Sequence, residues 1–190
     1  LIACFTGVVL GMTAAVIGGW YDTILSRFLD ALTSIPSKLF GLVVVAGIGS
    51  SIPVLIGVLA VIYTPGAYRF ARALSVNINT MEYVTAARAR GERTLYLIRH
   101  EILPNITGPV LADMGLRFVF IVLLLSGLSF LGLGVQPPNS DWGSLVRENI
   151  GALSFGAPAV IMPSIAIATL TISVNLLIDN LPVKIRDRSE

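Results

Sequence analysis

Charged residues are scarce in this chain, and their scarcity limits the class of protein it can be. Of its 190 residues, 13% are charged and 55% are hydrophobic, whereas soluble domains carry about 25% charged residues. A compact soluble domain of this length would lack the charged side chains that normally cover its surface. The low charge and the mean hydropathy of +0.84 therefore indicate an integral membrane protein.

Cysteine and histidine are almost absent, which excludes several kinds of site. Because Cys4 and His100 are the single members of their types, the chain can form neither an internal disulfide nor a metal or Cys–His site of its own. His100 lies in a polar segment, where we expect a solvated side chain. The glycines at 127, 132 and 134 are not followed by Gly-Lys-Ser/Thr, so they do not form a nucleotide-binding phosphate loop.

Long runs without charged residues predict the membrane-spanning segments. About 20 apolar residues in a helix cross the ~30 Å hydrocarbon core. The five expected spans cover residues 1–21, 36–50, 53–70, 105–134 and 159–181. The second and third belong to one uncharged run, which the turn-forming sequence from Gly49 to Pro53 divides; a single kinked helix is the alternative. Since residue 1 already lies in an apolar run, we expect at least one earlier span before it.

The distribution of lysine and arginine predicts the orientation of these spans. Eleven of the 13 basic residues fall in the segments 20–38, 69–104 and 182–190. Basic residues collect on the cytoplasmic side of membrane proteins. We therefore expect these three segments and the C-terminus in the cytoplasm, and an external loop at 135–158.

The segment 69–104 is the one long polar stretch of the sequence. Its good helix formers at 82–90 precede Gly91, which can end a helix in a left-handed conformation. Thr94 can cap a second short helix, which we expect Pro104 to end. The predicted helix–turn–helix carries small alanines among arginines. Two interpretations stay open on these grounds: a knob that enters a groove on a partner protein, or a basic loop that binds anionic lipid headgroups.

The same segment resembles a known motif. Thr85-Ala86-Ala87, Gly91 and Leu103-Pro104 are similar to the EAA loop of permease subunits in binding-protein-dependent ABC importers. The first position is usually Glu in that loop and is Thr85 here. Further segments, at 82–84, 99–105, 129–138, 141–143 and 175–179, resemble the dipeptide/oligopeptide/nickel branch of the family. The resemblance extends over nearly the whole chain.

The resemblance implies a fold and a role. It implies an all-α type I ABC importer transmembrane domain over 1–190, in which the segment 69–104 is a coupling loop that docks on a cytoplasmic ATPase. The residues that match the docking motif, with the neighbouring arginines, are Thr85, Ala86, Ala87, Arg88, Arg90, Gly91, Leu103 and Pro104. The chain itself would be non-catalytic and would hold no cofactor, metal or nucleic acid.

The family also implies partners, a cargo and a location. The expected partners are a second permease subunit, two ATPase subunits that bind ATP and magnesium, an extracytoplasmic solute-binding protein and membrane lipids. We expect the assembly in the prokaryotic cytoplasmic membrane. Di- and oligopeptides are the first choice of cargo, and nickel or another small solute is the alternative.

Polar residues within the spans are candidates for the translocation pathway. Asp113 and Arg117 are four residues apart on one helical face, where they form an internal salt bridge or line the pathway. Thr171 and Asn175 share a stripe with Ser164 and Asp179, which either bonds between helices or lines a cavity.

Small residues at a spacing of four predict a helix contact. Gly7, Gly11, Ala15 and Gly19 form this stripe, which lets another helix approach closely.

Two other functional classes remain as alternatives. An intramembrane enzyme would need paired acids, or a serine with a lysine or histidine, at membrane depth, and the pair Asp113/Arg117 does not meet that need. A self-contained channel or secondary carrier would explain the charged pair but not the helix–turn–helix on the inner face.

Overall fold

Helices dominate the part of the chain that the structure describes, residues 1–155 and 158–180 of a computed structural model. The helices are α1 (Ile2–Ile17), α2 (Gly19–Thr33), α3 (Ser37–Ile48), α4 (Ile52–Asn79), α5 (Glu82–Ala89), α6 (Thr94–Tyr96), α7 (Leu103–Phe130), α8 (Trp142–Asn149) and α9 (Ile161–Asp179). A π-helical segment, Leu97–Ile102, joins α6 to α7, and a 3₁₀ segment, Ile150–Phe155, follows α8. The expected all-α fold is confirmed.

Within the described residues, three helical stretches are long and apolar enough to cross a membrane: Ile52–Asn79, Thr94–Phe130 and Ile161–Ile178. Counting α2 and α3 together as one broken span gives a fourth. The first expected span corresponds to α1, which is apolar but has 16 residues and therefore rises about 24 Å. The second corresponds to α3, whose 12 residues rise about 18 Å.

The break between the second and third expected spans is confirmed. Helix α3 ends at Ile48, and α4 begins at Ile52. Between them Gly49 has a φ of 110°, a conformation that L side chains rarely adopt. The chain therefore forms two helices here and not one kinked helix.

In the polar segment, one helix continues beyond the expected span and one expected helix end is wrong. Helix α4 continues to Asn79 because residues after 70 still find a buried environment, with Ala71 and Ser75 fully buried. Pro104 does not end a helix, since Thr94–Phe130 is continuous. Its ring would clash with a carbonyl of the preceding turn in a regular α-helix, and the wider π-helical turn just before it relieves that clash.

The described chain divides into two compact units, the first containing Leu1–Ser34 and Tyr63–Met114. In this unit α1 packs directly on the backbone of α4. A Cβ added at Gly7 would lie 2.8 Å from the Thr64 carbonyl oxygen, and one at Gly11 would lie 2.7 Å from the Tyr68 carbonyl oxygen. The predicted small-residue contact is thus confirmed at these two glycines, whereas Gly19 has open space around it.

The second unit contains Ile35–Ile62 and Gly115–Asp179. Its core includes Val45 of α3 and Leu55 of α4, with Leu125 of α7 packed against them. Helix α8 lies against α7, where a Cβ at Gly143 would be 2.3 Å from the carbonyl oxygen of Ser126. The segment expected to be external, 135–158, therefore contains a short helix that packs on α7.

Candidate functional site

Helix α5 is the centre of the candidate site, and its inner face is tightly packed. Val84 and Ala87 are 0% exposed and form a cluster with Leu97. Val16 from the end of α1 and Ile78 from the end of α4 pack against this cluster. The helix is therefore held by apolar contacts to the elements that lead to and from the expected spans.

The opposite face of α5 is open. Thr85, Ala86 and Arg90 are all exposed. Gly91 follows with a φ of 85°, and a Cβ placed there would meet no atom within 4 Å. Its amide N–H donates to the carbonyl oxygen of Arg88 at 3.0 Å. The predicted left-handed glycine turn is confirmed, and the outer face of α5 before it is accessible.

Ala87 departs from the expected arrangement. The sequence motif groups it with Ala86 as a docking residue, but the structure buries its side chain in the chain's own core. The reason is helical periodicity, since Val84 and Ala87 are three residues apart and share one face. The small side chain of Ala87 lets α5 lie close to the spans, and Ala86 is the alanine that remains accessible.

Polar contacts add to the apolar ones beneath α5. The Arg88 guanidinium donates from Nη2 to Oδ1 of Asn79 at 2.8 Å. The same Asn79 donates from Nδ2 to the Ala15 carbonyl oxygen at 3.0 Å. Asn105 donates from Nδ2 to the Tyr83 hydroxyl at 3.3 Å. Sequence reasoning missed Asn79, because nothing in its local pattern distinguishes it from other polar residues near a helix end.

Tyr83, in the first turn of α5, has surroundings that raise the pKa of its phenol. Desolvation by burial raises the pKa of the Tyr83 phenol, and the negative charge of Glu101 raises it further. A neutral phenol accepts the hydrogen bond from Asn105 and keeps a proton to donate. The N-terminal turn of α5 is thus tied to the start of α7 by an uncharged contact.

A surface cleft of about 460 Å³ lies after Gly91. It is lined by Gly91, Glu92, Arg93, Leu95, Tyr96, Arg99 and His100. His100 is exposed, as expected, and stacks on Tyr96 with ring centroids 4.5 Å apart. Leu103 and Pro104, also predicted as docking residues, are exposed at the start of α7.

The predicted pathway residues lie on α7 and α9. Asp113 and Arg117 are half-buried on α7, and Thr171 and Asn175 are half-buried on α9. The Thr171 hydroxyl donates to the Ile167 carbonyl oxygen at 2.9 Å, within its own helix. It also lines a cleft of about 490 Å³ in the second unit. The side chain of Asp179 and the C-terminal segment 181–190 lie outside the described residues.

The segment expected to form the external loop contains a hydrogen-bond network that the sequence analysis did not identify. The buried Ser129 hydroxyl donates to Oδ2 of Asp141 at 2.6 Å. Asp141 also caps α8, accepting from the Ser144 amide at 2.8 Å, while the Ser144 hydroxyl accepts from the Asp141 amide at 3.0 Å. The spacing Asp-x-x-Ser resembles a reciprocal capping box and is the signal that could have revealed it.

Two ion pairs connect α2 to α4, and the sequence pattern gave no sign of them. Asp22 accepts from Arg72 Nε and Nη2, and its Oδ1 also accepts from the Tyr68 hydroxyl at 3.2 Å. The more exposed pair joins Asp30 to Arg69 at 2.9 Å. The partners lie about 40 to 50 residues apart in sequence, so no helical spacing relates them.

Most of the chain matches a known protein family. Residues 7–187 match the family described as binding-protein-dependent transport system inner membrane component. The dipeptide transport system permease protein of Haemophilus influenzae is 32% identical over 181 residues, which cover 95% of this chain and 61% of the relative. The corresponding protein of Alkalihalophilus pseudofirmus is 30% identical over 179 residues, covering 94% and 59%.

A third relative has a different name but a similar extent of match. The glutathione transport system permease protein of Pectobacterium atrosepticum is 30% identical over 181 residues, covering 95% of this chain and 60% of the relative. The chain spans about three fifths of the length of these relatives. The resemblance drawn from the loop motif is confirmed, and the chain belongs to the family of binding-protein-dependent transport system inner membrane components.

Proposed function

We propose that the chain forms the membrane-spanning permease part of a binding-protein-dependent ABC importer for di- and oligopeptides. It supplies half of a translocation pathway, and a second permease subunit supplies the other half. Two separate ATPase subunits bind ATP and magnesium and hydrolyse ATP, so this chain performs no catalysis. An extracytoplasmic binding protein delivers the cargo to the complex in the prokaryotic cytoplasmic membrane. Family membership and the names of the relatives support this proposal.

The observation that carries the proposal is the two-sided character of α5. Its inner face is buried through Val84 and Ala87, while Ala86, Arg90 and Gly91 are exposed. A segment that transmits movement must be firmly attached to the spans and must also offer an accessible contact surface. A lipid-binding loop would need only the exposed basic residues, so the burial beneath α5 favours docking on an ATPase.

The peptide cargo is supported by the relatives and by the chemistry of the spans. The relatives are named for dipeptide and glutathione transport. Asp113 and Arg117 place opposite charges on α7, which suit the charged termini of a short peptide. Thr171 and Asn175 offer uncharged hydrogen-bonding groups on α9. Nickel or another small solute is the second candidate, since these groups also suit other small polar molecules.

A substitution on the outer face of α5 tests the docking role. The full-length permease carrying Ala86→Trp is reconstituted in vesicles with its partner permease, ATPase subunits and binding protein. The large side chain would hold the ATPase surface away, so we expect the ATPase to copurify poorly and ATP-driven uptake of a labelled dipeptide to fall. Ala31→Trp, on an exposed position of α2, is the matched control.

The outcomes separate the alternatives. Normal uptake and ATPase association by Ala86→Trp would contradict the docking role of α5. Uptake by the permease in vesicles without ATPase subunits would favour a self-contained carrier. Uptake of nickel that unlabelled dipeptide does not inhibit would replace the proposed cargo with the second candidate.

A further inference from the structure

The amide of Asn79 lies where three helices of the first unit meet. Asn79 is the last residue of α4, its Nδ2 donates to the Ala15 carbonyl oxygen of α1, and its Oδ1 accepts from Arg88 of α5. One half-buried side chain therefore connects the end of one helix to the ends of two others.

The two partners call for a side chain that can donate and accept at once, as an amide can. Ala15 is within the last four residues of α1, whose carbonyl groups have no partner inside the helix. Arg88 can only donate hydrogen bonds, and a carbonyl oxygen can only accept them. A group that joins the two must accept on one side and donate on the other, as the asparagine amide does.

The polar contacts beneath α5 are directional, whereas the apolar contacts are not. The cluster of Val84, Ala87 and Leu97 holds α5 against the chain, but hydrophobic attraction has no preferred direction. Hydrogen bonds weaken steeply when their angles change. The pair of bonds at Asn79 therefore fixes the direction in which α5 points from α1 and α4.

We propose that Asn79 is a positioning residue for energy coupling, which makes movements of α5 and of the ends of α1 and α4 occur together. This inference rests on the proposed docking of α5 on an ATPase. It assigns Arg88 to the joint within the chain and not to a contact with the ATPase. Loss of the joint lets the ATPase move α5 without moving the spans by the same amount, so ATP is consumed with less transport.

The test measures ATP hydrolysed per dipeptide imported by the complete reconstituted complex. Asn79→Asp keeps an acceptor for Arg88 but removes the donor to the Ala15 carbonyl, and Arg88→Met removes the other bond alone. We expect each variant to raise the ratio roughly fivefold, equivalent to about 1 kcal/mol, the usual net value of one such hydrogen bond. Asn77→Asp makes the same chemical change at an exposed position two residues earlier and is the control.

The amount of assembled complex is measured alongside the ratio, because a purely structural role would lower assembly alone. A raised ratio in Asn79→Asp and Arg88→Met, with the ratio of Asn77→Asp unchanged, supports the proposal. An unchanged ratio per assembled complex in both variants overturns it, whatever the yield. If the unaltered complex itself imports no dipeptide with ATP, the proposed function fails, and the coupling role of Asn79 fails with it.

Discussion

The contact between α1 and α4 gives the sharpest test of the packing. A Cβ added at Gly11 would lie 2.7 Å from the Tyr68 carbonyl oxygen and 2.8 Å from the Arg72 amide nitrogen. Both atoms belong to the backbone of a helix, so no side-chain rotation can relieve the clash. To restore a normal separation of roughly 3.5 Å, the two helices would have to move apart by about 0.8 Å.

Two opposing effects decide the stability of Gly11→Ala. Forcing an extra carbon into a packed contact costs about 1–3 kcal/mol, whereas replacing glycine by alanine in a helix gains up to about 1 kcal/mol. Gly57→Ala on α4 is the matched control, because a Cβ there meets no atom within 4 Å. The helix-propensity gain is common to both variants, so their difference isolates the packing cost.

The assay is thermal unfolding of the detergent-solubilised protein. A difference of about 2 kcal/mol corresponds to roughly 4–8 °C in a protein of this length, with Gly11→Ala less stable than Gly57→Ala. Adding Gly7→Ala to Gly11→Ala should cost less than the sum of the two, since one separation of the helices relieves both clashes. Equal melting temperatures for Gly11→Ala and Gly57→Ala would refute the close approach of α1 and α4.

Three further predictions concern the polar and apolar contacts within each unit. Asp22→Asn leaves its half-buried arginine partner without a counter-charge and should lower the unfolding free energy by roughly 2 kcal/mol. Asp30→Asn, in the exposed pair, should lower it by less than about 1 kcal/mol. Urea unfolding measures the free energy of unfolding of both variants. Ser129→Ala removes the hydroxyl that bonds to Asp141 and should speed limited proteolysis at 131–141, where antibody or mass mapping locates the cut. Ala87→Leu should cost about 1–3 kcal/mol by overpacking, while Ala86→Leu should change stability by no more than about 0.5 kcal/mol, both followed by thermal unfolding.

Each of these predictions has an outcome that contradicts its reasoning. Equal destabilisation by Asp22→Asn and Asp30→Asn would mean that burial does not distinguish the two ion pairs. An unchanged cutting rate in Ser129→Ala would show that the capped helix α8 orders the loop without the serine. Equal effects of leucine at 86 and 87 would contradict the orientation of α5.

Much of the helical architecture could be predicted from local sequence. Three of the five spans that the apolar runs predicted correspond to helices of the described chain that are long and apolar enough to cross a membrane. Gly49 and Gly91 marked turns because their positive φ angles suit glycine. The helix ends were less predictable, since the length of α4 and the continuity through Pro104 depend on buried surroundings and on a π-helical turn supplied by the rest of the chain.

For the candidate site too, some features could be predicted from the sequence and others only from the tertiary structure. The sequence alone indicated the membrane class, the resemblance to a family's loop motif and the glycine turn after α5, since composition, motif residues and backbone preference are local properties. The tertiary structure alone decided that Ala87 faces inward while Ala86 stays accessible, and that Asn79 joins Ala15 to Arg88. These depend on which distant segments pack beneath α5, and contacts between residues far apart along the chain leave no periodic trace in the sequence.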